Sequence, residues 1–389
     1  MVPEFVWVLT QLPLTINGKI DITRLPTVAE TNQRKEVVQP RNEIEAQLRD
    51  VWADLLGLSA EQISIEDDFF QLGGNSMLSI RLMLAVNSVF PGQVSIHDIF
   101  SHTGLAAMAQ CVTGNVPLNS SILTRLTSGP DASPKLFCVP GALGTAAVFH
   151  AVSRQLSGYD VYAFNHSGVL DEQAPHTAIE HMVDTYLSEL LNVQSNGEFV
   201  LIGHSLGAKV AYEMTRVLES LGHKVRLIVL DSAFKWREAV EEGIPTLPIS
   251  SNVDDELAAQ GQKVKQAMAD FLLASVVSTD ARSQLVEKLD QLYELHARMS
   301  KAHVIDGGLS ADVLLVYAEE TVISPLTQPG RFTDGHMFTE TVPGEHDSML
   351  TGANALHCAQ VIGRFLSTSS ESISCLLYTS DAADDWFCV

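Results

Sequence analysis

The chain has 389 residues, 46% of them hydrophobic and 18% charged, with 47 Asp and Glu against 24 Lys and Arg and a formal net charge of −23. This is a globular composition, long enough for about two or three domains, and its acidity excludes a nucleic-acid binder built on a basic stripe. Cys111, Cys138, Cys358, Cys375 and Cys388 lie far apart with no C-x-x-C pair, no apolar run reaches membrane-spanning length, and Glu4 replaces any basic n-region. A disulfide scaffold, a metal site on cysteines, a membrane span and a signal peptide are therefore not expected, and the default setting is cytoplasmic.

In residues 1–26, Val6–Leu9 reads as a strand and Asn17-Gly18 as a turn, with Lys19 directly after it. Residues 27–40 are polar, end in Pro40 and read as a linker. Residues 41–113 read as a small bundle of helices. Ile44, Leu48, Val51, Trp52, Leu55 and Leu56 fall at helical spacing, and Gly57 suits the position just past the helix end. A loop through Asp67-Asp68-Phe69-Phe70 leads to Gly73-Gly74-Asn75-Ser76 and a second amphipathic stretch with Leu78, Leu82, Ala85, Val86 and Val89 on one face; Pro91-Gly92 ends it. Ile96–Phe100 reads as a short helical turn and Thr103–Val112 as a last helix. Acidic residues far outnumber Arg41, Arg49 and Arg81 in this segment, which suits a basic partner surface as well as plain solvation. Ser76 heads its helix next to a glycine pair, so it reads either as an N-cap or as a modified hydroxyl whose phosphate the helix N-terminus favours.

Residues 114–134 are rich in Ser, Thr, Gly and Pro and read as a flexible linker, with Ile122–Leu126 docking on a neighbouring domain. From Lys135 strands and helices alternate. Strands are expected at Leu136–Val139, Val161–Phe164, Phe199–Ile202, Val225–Leu230, Val313–Tyr317 and near Phe338–Val342. Helices are expected up to about Leu156, at Ala178–Asn192, after the Gly203–Gly207 turn and at Ala353–Leu366. The pattern implies a mostly parallel sheet with helices on both faces over 135–366. The interval around 237–303 has no clear strand, and Gln262–Val276 and Arg282–Arg298 look amphipathic; it is expected to form a helical lid. The tail 367–389 continues no periodicity and is expected to be disordered or a cloning artefact.

The chemistry centres on Gly203-His204-Ser205-Leu206-Gly207, placed between an apolar strand and a helix. G-x-S-x-G in that context is a nucleophile elbow, in which the glycines let strand and helix approach while the serine takes a strained backbone. A serine hydroxyl needs a base, and the base an orienting carboxylate. His346, on the loop after the last strand, is the expected base; His204, on the elbow itself, is expected to pack. The acid is either Asp231, ending the strand after the elbow helix, or Glu319 or Glu320, ending the next one; Asp347 is expected to cap the closing helix. The Leu206 backbone N–H is an expected oxyanion donor.

Three stretches resemble parts of nonribosomal peptide synthetases. LPLTINGKIDITRLP resembles the C-terminal end of an adenylation domain, in which the lysine matching Lys19 contacts carboxylate and nucleotide. The phosphate loop and acyl-site residues of such a domain are missing, so adenylation is not expected and Met1 reads as the start of a fragment. DDFFQLGGNSMLSIRL resembles the attachment site of acyl- and peptidyl-carrier proteins, which implies 4′-phosphopantetheine esterified to Ser76 and a phosphopantetheinyl transferase as partner. GHSLGAKVAYEM, IVLDSA and PGEHDSML resemble the thioesterase domains that end peptide and polyketide synthases. That resemblance implies an α/β-hydrolase fold with Ser205, Asp231 and His346 as triad, and Ala142 in Pro140–Gly144 as second oxyanion donor. The expectation is a terminal carrier plus thioesterase, working with upstream adenylation and condensation domains. It would take an acyl or peptidyl thioester from Ser76 onto Ser205 and release it by hydrolysis or cyclisation. The alternatives are the same domains from a polyketide or quinone-forming synthetase-like enzyme, or an inert carrier fragment.

Overall fold

The computed structural model describes residues 37–74, 76–90, 94, 96–113, 122–169, 173–237, 279–321 and 332–368. The expected adenylation remnant, the stretch Gln262–Val276 and the tail beyond Thr368 lie outside the described residues.

The N-terminal part is helical: α1 (Glu43–Leu56), α2 (Ser76–Val89), α3 (Ile96–Ser101) and α4 (Leu105–Val112). Asn42 caps α1 by accepting from the Glu45 N–H at 2.9 Å, and Gly57 ends it at φ 67°. Leu48 and Trp52 are fully buried, and Trp52 meets Phe69 edge to face at 5.3 Å. The turn before α2 has a local cause for each residue. Asp68 Oδ1 accepts from the Phe70 and Gln71 N–H groups. Gly73 has φ 106°, and a Cβ on Gly74 would meet the Phe69 ring at 2.4 Å and its carbonyl oxygen at 2.6 Å. Only glycine fits either position, and the pair delivers the chain to the head of α2.

The second part is a seven-stranded sheet in the order β1-β3-β2-β4-β5-β6-β7. The strands are β1 (Leu123–Thr127), β2 (Lys135–Val139), β3 (Asp160–Phe164), β4 (Phe199–His204), β5 (Val225–Leu230), β6 (Asp312–Ala318) and β7 (Met337–Val342). All neighbours pair in parallel except β1, which lies antiparallel on β3. β1 corrects the expectation of a linker over 114–134. Its Thr and Arg content hides a five-residue edge strand, held by the Arg125–Asp160 ion pair at 2.8 Å. The helix expected up to about Leu156 is also shorter, a 3-10 turn at Ala146–Phe149 followed by α5 (His150–Ser153).

Both faces of the inner strands are buried, as parallel strands between helices require. Phe137, Val139, Leu201, Leu227 and Val229 pack with α6 (Ile179–Val193) and α7 (Leu206–Ser220). Leu136, Cys138, Ile202, Ile228 and Leu230 face α9 (Asn354–Ser367) on the other side. α8 (Thr279–Ala302) takes in the expected stretch Arg282–Arg298 as one longer helix. Its last turn is tied to the helix after the elbow, because the buried Lys209 Nζ donates to the Ser300 carbonyl at 2.6 Å and to Ser300 Oγ at 2.9 Å. The helical part meets the second part at His150 of α5, where the Phe70 ring stacks at 4.2 Å and Phe100 lies at 5.3 Å.

Candidate active site

β2 and β4 are adjacent, and the chain leaves them towards opposite edges of the sheet, so a crevice opens at their C-terminal ends. Ser205 follows β4 directly and has φ 53° and ψ −119°, a backbone state that non-glycine residues rarely take. The elbow glycines make it feasible. A Cβ on Gly203 would meet Ala208 Cα at 2.4 Å, and one on Gly207 would meet the Val139 carbonyl oxygen at 2.1 Å. The elbow is tied down on both sides of the serine: its N–H donates to the Leu230 carbonyl at 3.0 Å, and Ser232 Oγ donates to its carbonyl at 2.8 Å.

Asp231 follows β5 with φ 44° and is fully buried. His346 lies on the loop after β7, and its Nδ1–H donates to Asp231 Oδ2 at 2.6 Å. The carboxylate also accepts from Thr321 Oγ1 at 2.9 Å and from the Ala318 N–H at 3.2 Å. Burial opposes ionisation of Asp231, but the hydrogen bonds from His346, Thr321 and Ala318 outweigh it and hold the carboxyl below the usual range. Burial opposes protonation of His346, yet its bond to Asp231 and the nearby charges of Asp347 and Asp231 raise its pKa overall. Of the carboxylates left open by the sequence, Asp231 is the one bonded to His346. Ser205 Oγ has no hydrogen-bond partner among the described residues, so the serine–histidine contact is open in this structure.

The backbone supplies free donors beside the serine. A Cβ on Gly141 would stand 3.1 Å from Ser205 Cβ, which puts the Pro140–Gly144 loop directly over the elbow. Neither the Ala142 nor the Leu206 N–H donates to an acceptor among the described residues. Leu206 opens α7, whose N-terminus favours negative charge.

Two contacts lay beyond the sequence reading. His204 does more than pack: its Nε2–H donates to the His346 backbone carbonyl at 2.9 Å, and the two rings lie 4.7 Å apart. Burial pushes His204 down to about 3, so it is neutral. Thr321 Oγ1 fixes the acid from the end of β6. Asp347 departs from expectation. It precedes the 3-10 turn Ser348–Leu350 without a capping bond, and Ala353 occupies the N-cap of α9. His204, His346 and Asp347 could together face a metal ion, as could Asp98, His102 and Cys111. In the first group, however, His204 Nε2 and His346 Nδ1 are already committed to the bonds just described.

The family described as thioesterase domain matches residues 134–365, more than half of the chain, and the chain belongs to it. The family described as phosphopantetheine attachment site matches residues 46–112. The chain is thus a carrier followed by a thioesterase of the α/β-hydrolase fold, the terminal arrangement of nonribosomal peptide synthetases. Malpinin synthetase of Mortierella alpina is 32% identical over 247 residues, 62% of this chain and 3% of that protein. Tyrocidine synthase 3 of Brevibacillus parabrevis is 23% identical over 377 residues, 94% of this chain and 6% of that protein. The chain therefore spans a small part of the length of these relatives. Among solved structures, a holo four-domain nonribosomal peptide synthetase bound to AMP and glycine matches with TM-score 0.54 at 21% identity, over 93% of this chain and 29% of that one; the likeness is one of fold.

Proposed function

We propose that this chain takes an acyl or peptidyl thioester carried at Ser76 onto Ser205 and releases it by hydrolysis or cyclisation. The reading rests above all on the Asp231–His346 bond of 2.6 Å beside a serine held at φ 53°. His346 Nε2 takes the proton from Ser205 Oγ as the oxygen attacks the thioester carbonyl. The negative charge on the carbonyl oxygen is met by the Ala142 and Leu206 N–H groups. As the tetrahedral centre collapses, the C–S bond breaks, the thiol leaves with the proton from His346, and an ester remains on Ser205. Water, or an internal amine or hydroxyl, then gives a proton to His346 Nε2 as it attacks the ester carbonyl. The C–O bond to Ser205 breaks, Oγ takes the proton from His346, and a free acid or a ring leaves.

Ser76 is the proposed attachment site, since it heads α2 behind the Gly73-Gly74 turn and an added phosphate there would sit at a helix N-terminus. Attached there, 4′-phosphopantetheine supplies the thiol that bears the acyl group. The proposed partners are a phosphopantetheinyl transferase and upstream adenylation and condensation domains. The proposed setting is the cytoplasm, in keeping with the free thiols Cys111, Cys138 and Cys358; no helix among the described residues is long and apolar enough to cross a membrane.

A fluorophosphonate probe with peptide mapping tests the nucleophile. The expected adduct is on Ser205 and absent in Ser205→Ala; folded wild-type protein that takes no label there would overturn the reading.

A further inference from the structure

In the loop carrying Ala142, Leu143 is fully buried and anchors the chain in the core, while Gly141 and Gly144 have no side chain to add. A Cβ on Gly141 would press on the His204 ring at 3.0 Å and on Ser205 Cβ at 3.1 Å, and one on Gly144 would meet the Pro140 side chain at 2.4 Å. Leu143 is held at φ 56°, another strained state. Two buried histidines from distant parts of the chain take hold of the backbone of this loop.

His166, just after β3, places Nε2 at 2.9 Å from the Gly141 carbonyl oxygen and 3.1 Å from that of Pro140. Both partners are acceptors, so Nε2 carries the proton. Burial and the nearby His296 push His166 down to about 3, so the ring is neutral and Nδ1 is bare. Tyr186 OH, 2.7 Å away on α6, therefore donates to Nδ1 and fixes the tautomer. The Gly141 carbonyl also accepts from the Gly144 N–H at 2.9 Å. The Gly141–Ala142 peptide is trans, so its C=O and N–H point in opposite directions. Holding the carbonyl back towards His166 aims the Ala142 N–H away from it.

The next peptide plane is held from the other side. The Leu143 N–H donates to Nδ1 of His296, on α8, at 3.1 Å. Burial pushes His296 down to about 4, so Nδ1 stays free to accept. The two rings touch edge to face at 5.1 Å, and each residue is 2% exposed.

We propose that His166 and His296 are positioning residues that clamp the two peptides flanking Ala142 and aim its N–H at the oxyanion formed on attack by Ser205. This rests on the Ser205 reading above. It also makes α8 part of the catalytic geometry, because moving that helix removes the acceptor for Leu143.

The test compares His166→Ala, His166→Gln, His296→Ala, His296→Asn and Tyr186→Phe in the full chain. The readouts are kcat and KM on a small acyl thioester and the Ki of a trifluoromethyl ketone, which forms a tetrahedral adduct on the serine. Each alanine variant is expected to lower kcat by about 10- to 100-fold with KM nearly unchanged, and to weaken the ketone by the same factor. Gln restores a donor at the place of Nε2 and Asn an acceptor at the place of Nδ1, so both should recover to within about fivefold of wild type. Tyr186→Phe keeps the ring stack on Phe164 at 4.3 Å and removes only the hydroxyl; an approximately three- to tenfold loss in kcat is expected. Folded alanine variants with wild-type kcat, or Gln and Asn variants as impaired as Ala, would overturn the clamp. Where an alanine variant does not fold, an unchanged kcat in Tyr186→Phe overturns the His166 half, and an Asn variant at 296 that stays about tenfold down or worse overturns the other. Wild-type protein that a fluorophosphonate fails to label at Ser205 removes both readings, whereas labelled wild type with indifferent variants removes the clamp alone.

Discussion

Asp231 Oδ2 and His346 Nδ1 stand 2.6 Å apart across 115 positions of sequence, and the aspartate is fully buried while the histidine is not. The contact leaves His346 Nε2 as the ring nitrogen free to take a proton. Because the pKa of His346 is raised above 6.5, the acidic limb of the kcat/KM profile should have its midpoint above that value, with activity rising with pH as the ring loses its proton. Asp231→Asn should lower kcat by about 10³- to 10⁴-fold. It should also move that limb downward, since burial remains while the bond to Asp231 and its charge are gone and only Asp347 still raises the pKa. A pH–rate profile with the wild-type midpoint below 6.5 would contradict this.

His204 bears on the same base from another direction. His204→Phe keeps a ring against His346 but loses the donor to its carbonyl. A looser His346 loop should lower kcat by about tenfold with little change in KM, since small misplacements of a catalytic group are costly. Steady-state kinetics on a small acyl thioester checks this; an unchanged kcat would show that the carbonyl tie does not position the base.

At the far side of the sheet, Arg226 carries stability rather than chemistry. Its Nη1 donates to the Phe365 and Leu366 carbonyls at 3.3 and 3.0 Å, and its Nη2 to Thr368 at 3.3 Å, closing the end of α9. Arg226→Met leaves those carbonyls without the donor, which costs about 1–3 kcal/mol. Thermal melts should show a Tm lower by roughly 2–10 °C, with kcat unaffected.

Much of this was legible in the chain itself. The elbow is a local pattern: Gly203 is needed for its contact with Ala208 a few residues on, whereas Gly207 makes room for the Val139 carbonyl on β2 and is legible only through the motif. The α1 face follows from spacing alone; on α2, Leu82 and Val86 are buried as expected, but Val89, in the last turn, is exposed and Met83 is buried beside Leu82. The choice between Asp231 and Glu319 or Glu320 was not open to residues alone, because β5 and β6 are parallel neighbours and each ends in a carboxylate; three-dimensional register decides which one meets His346. β1 escaped because an edge strand needs only one pairing partner, and Thr124, Arg125 and Thr127 read like the polar residues around them. His166, His204 and His296 escaped for another reason. Their partners are backbone carbonyls and amides far along the chain, which carry no sequence signature.

Ser76 is tested by mass. Incubation with coenzyme A and a phosphopantetheinyl transferase should add one phosphopantetheinyl group to the wild-type chain and none to Ser76→Ala. A gain that survives the substitution would contradict attachment at that residue.

The most direct measurement of the account is rapid acid quench of the full chain turning over a small acyl thioester, followed by intact mass and peptide mapping. An ester-linked acyl group on the peptide containing Ser205, formed before free product appears and lost in Ser205→Ala, is the predicted result. Product released at the wild-type rate from Ser205→Ala, or an acyl group mapped to another residue, would contradict it.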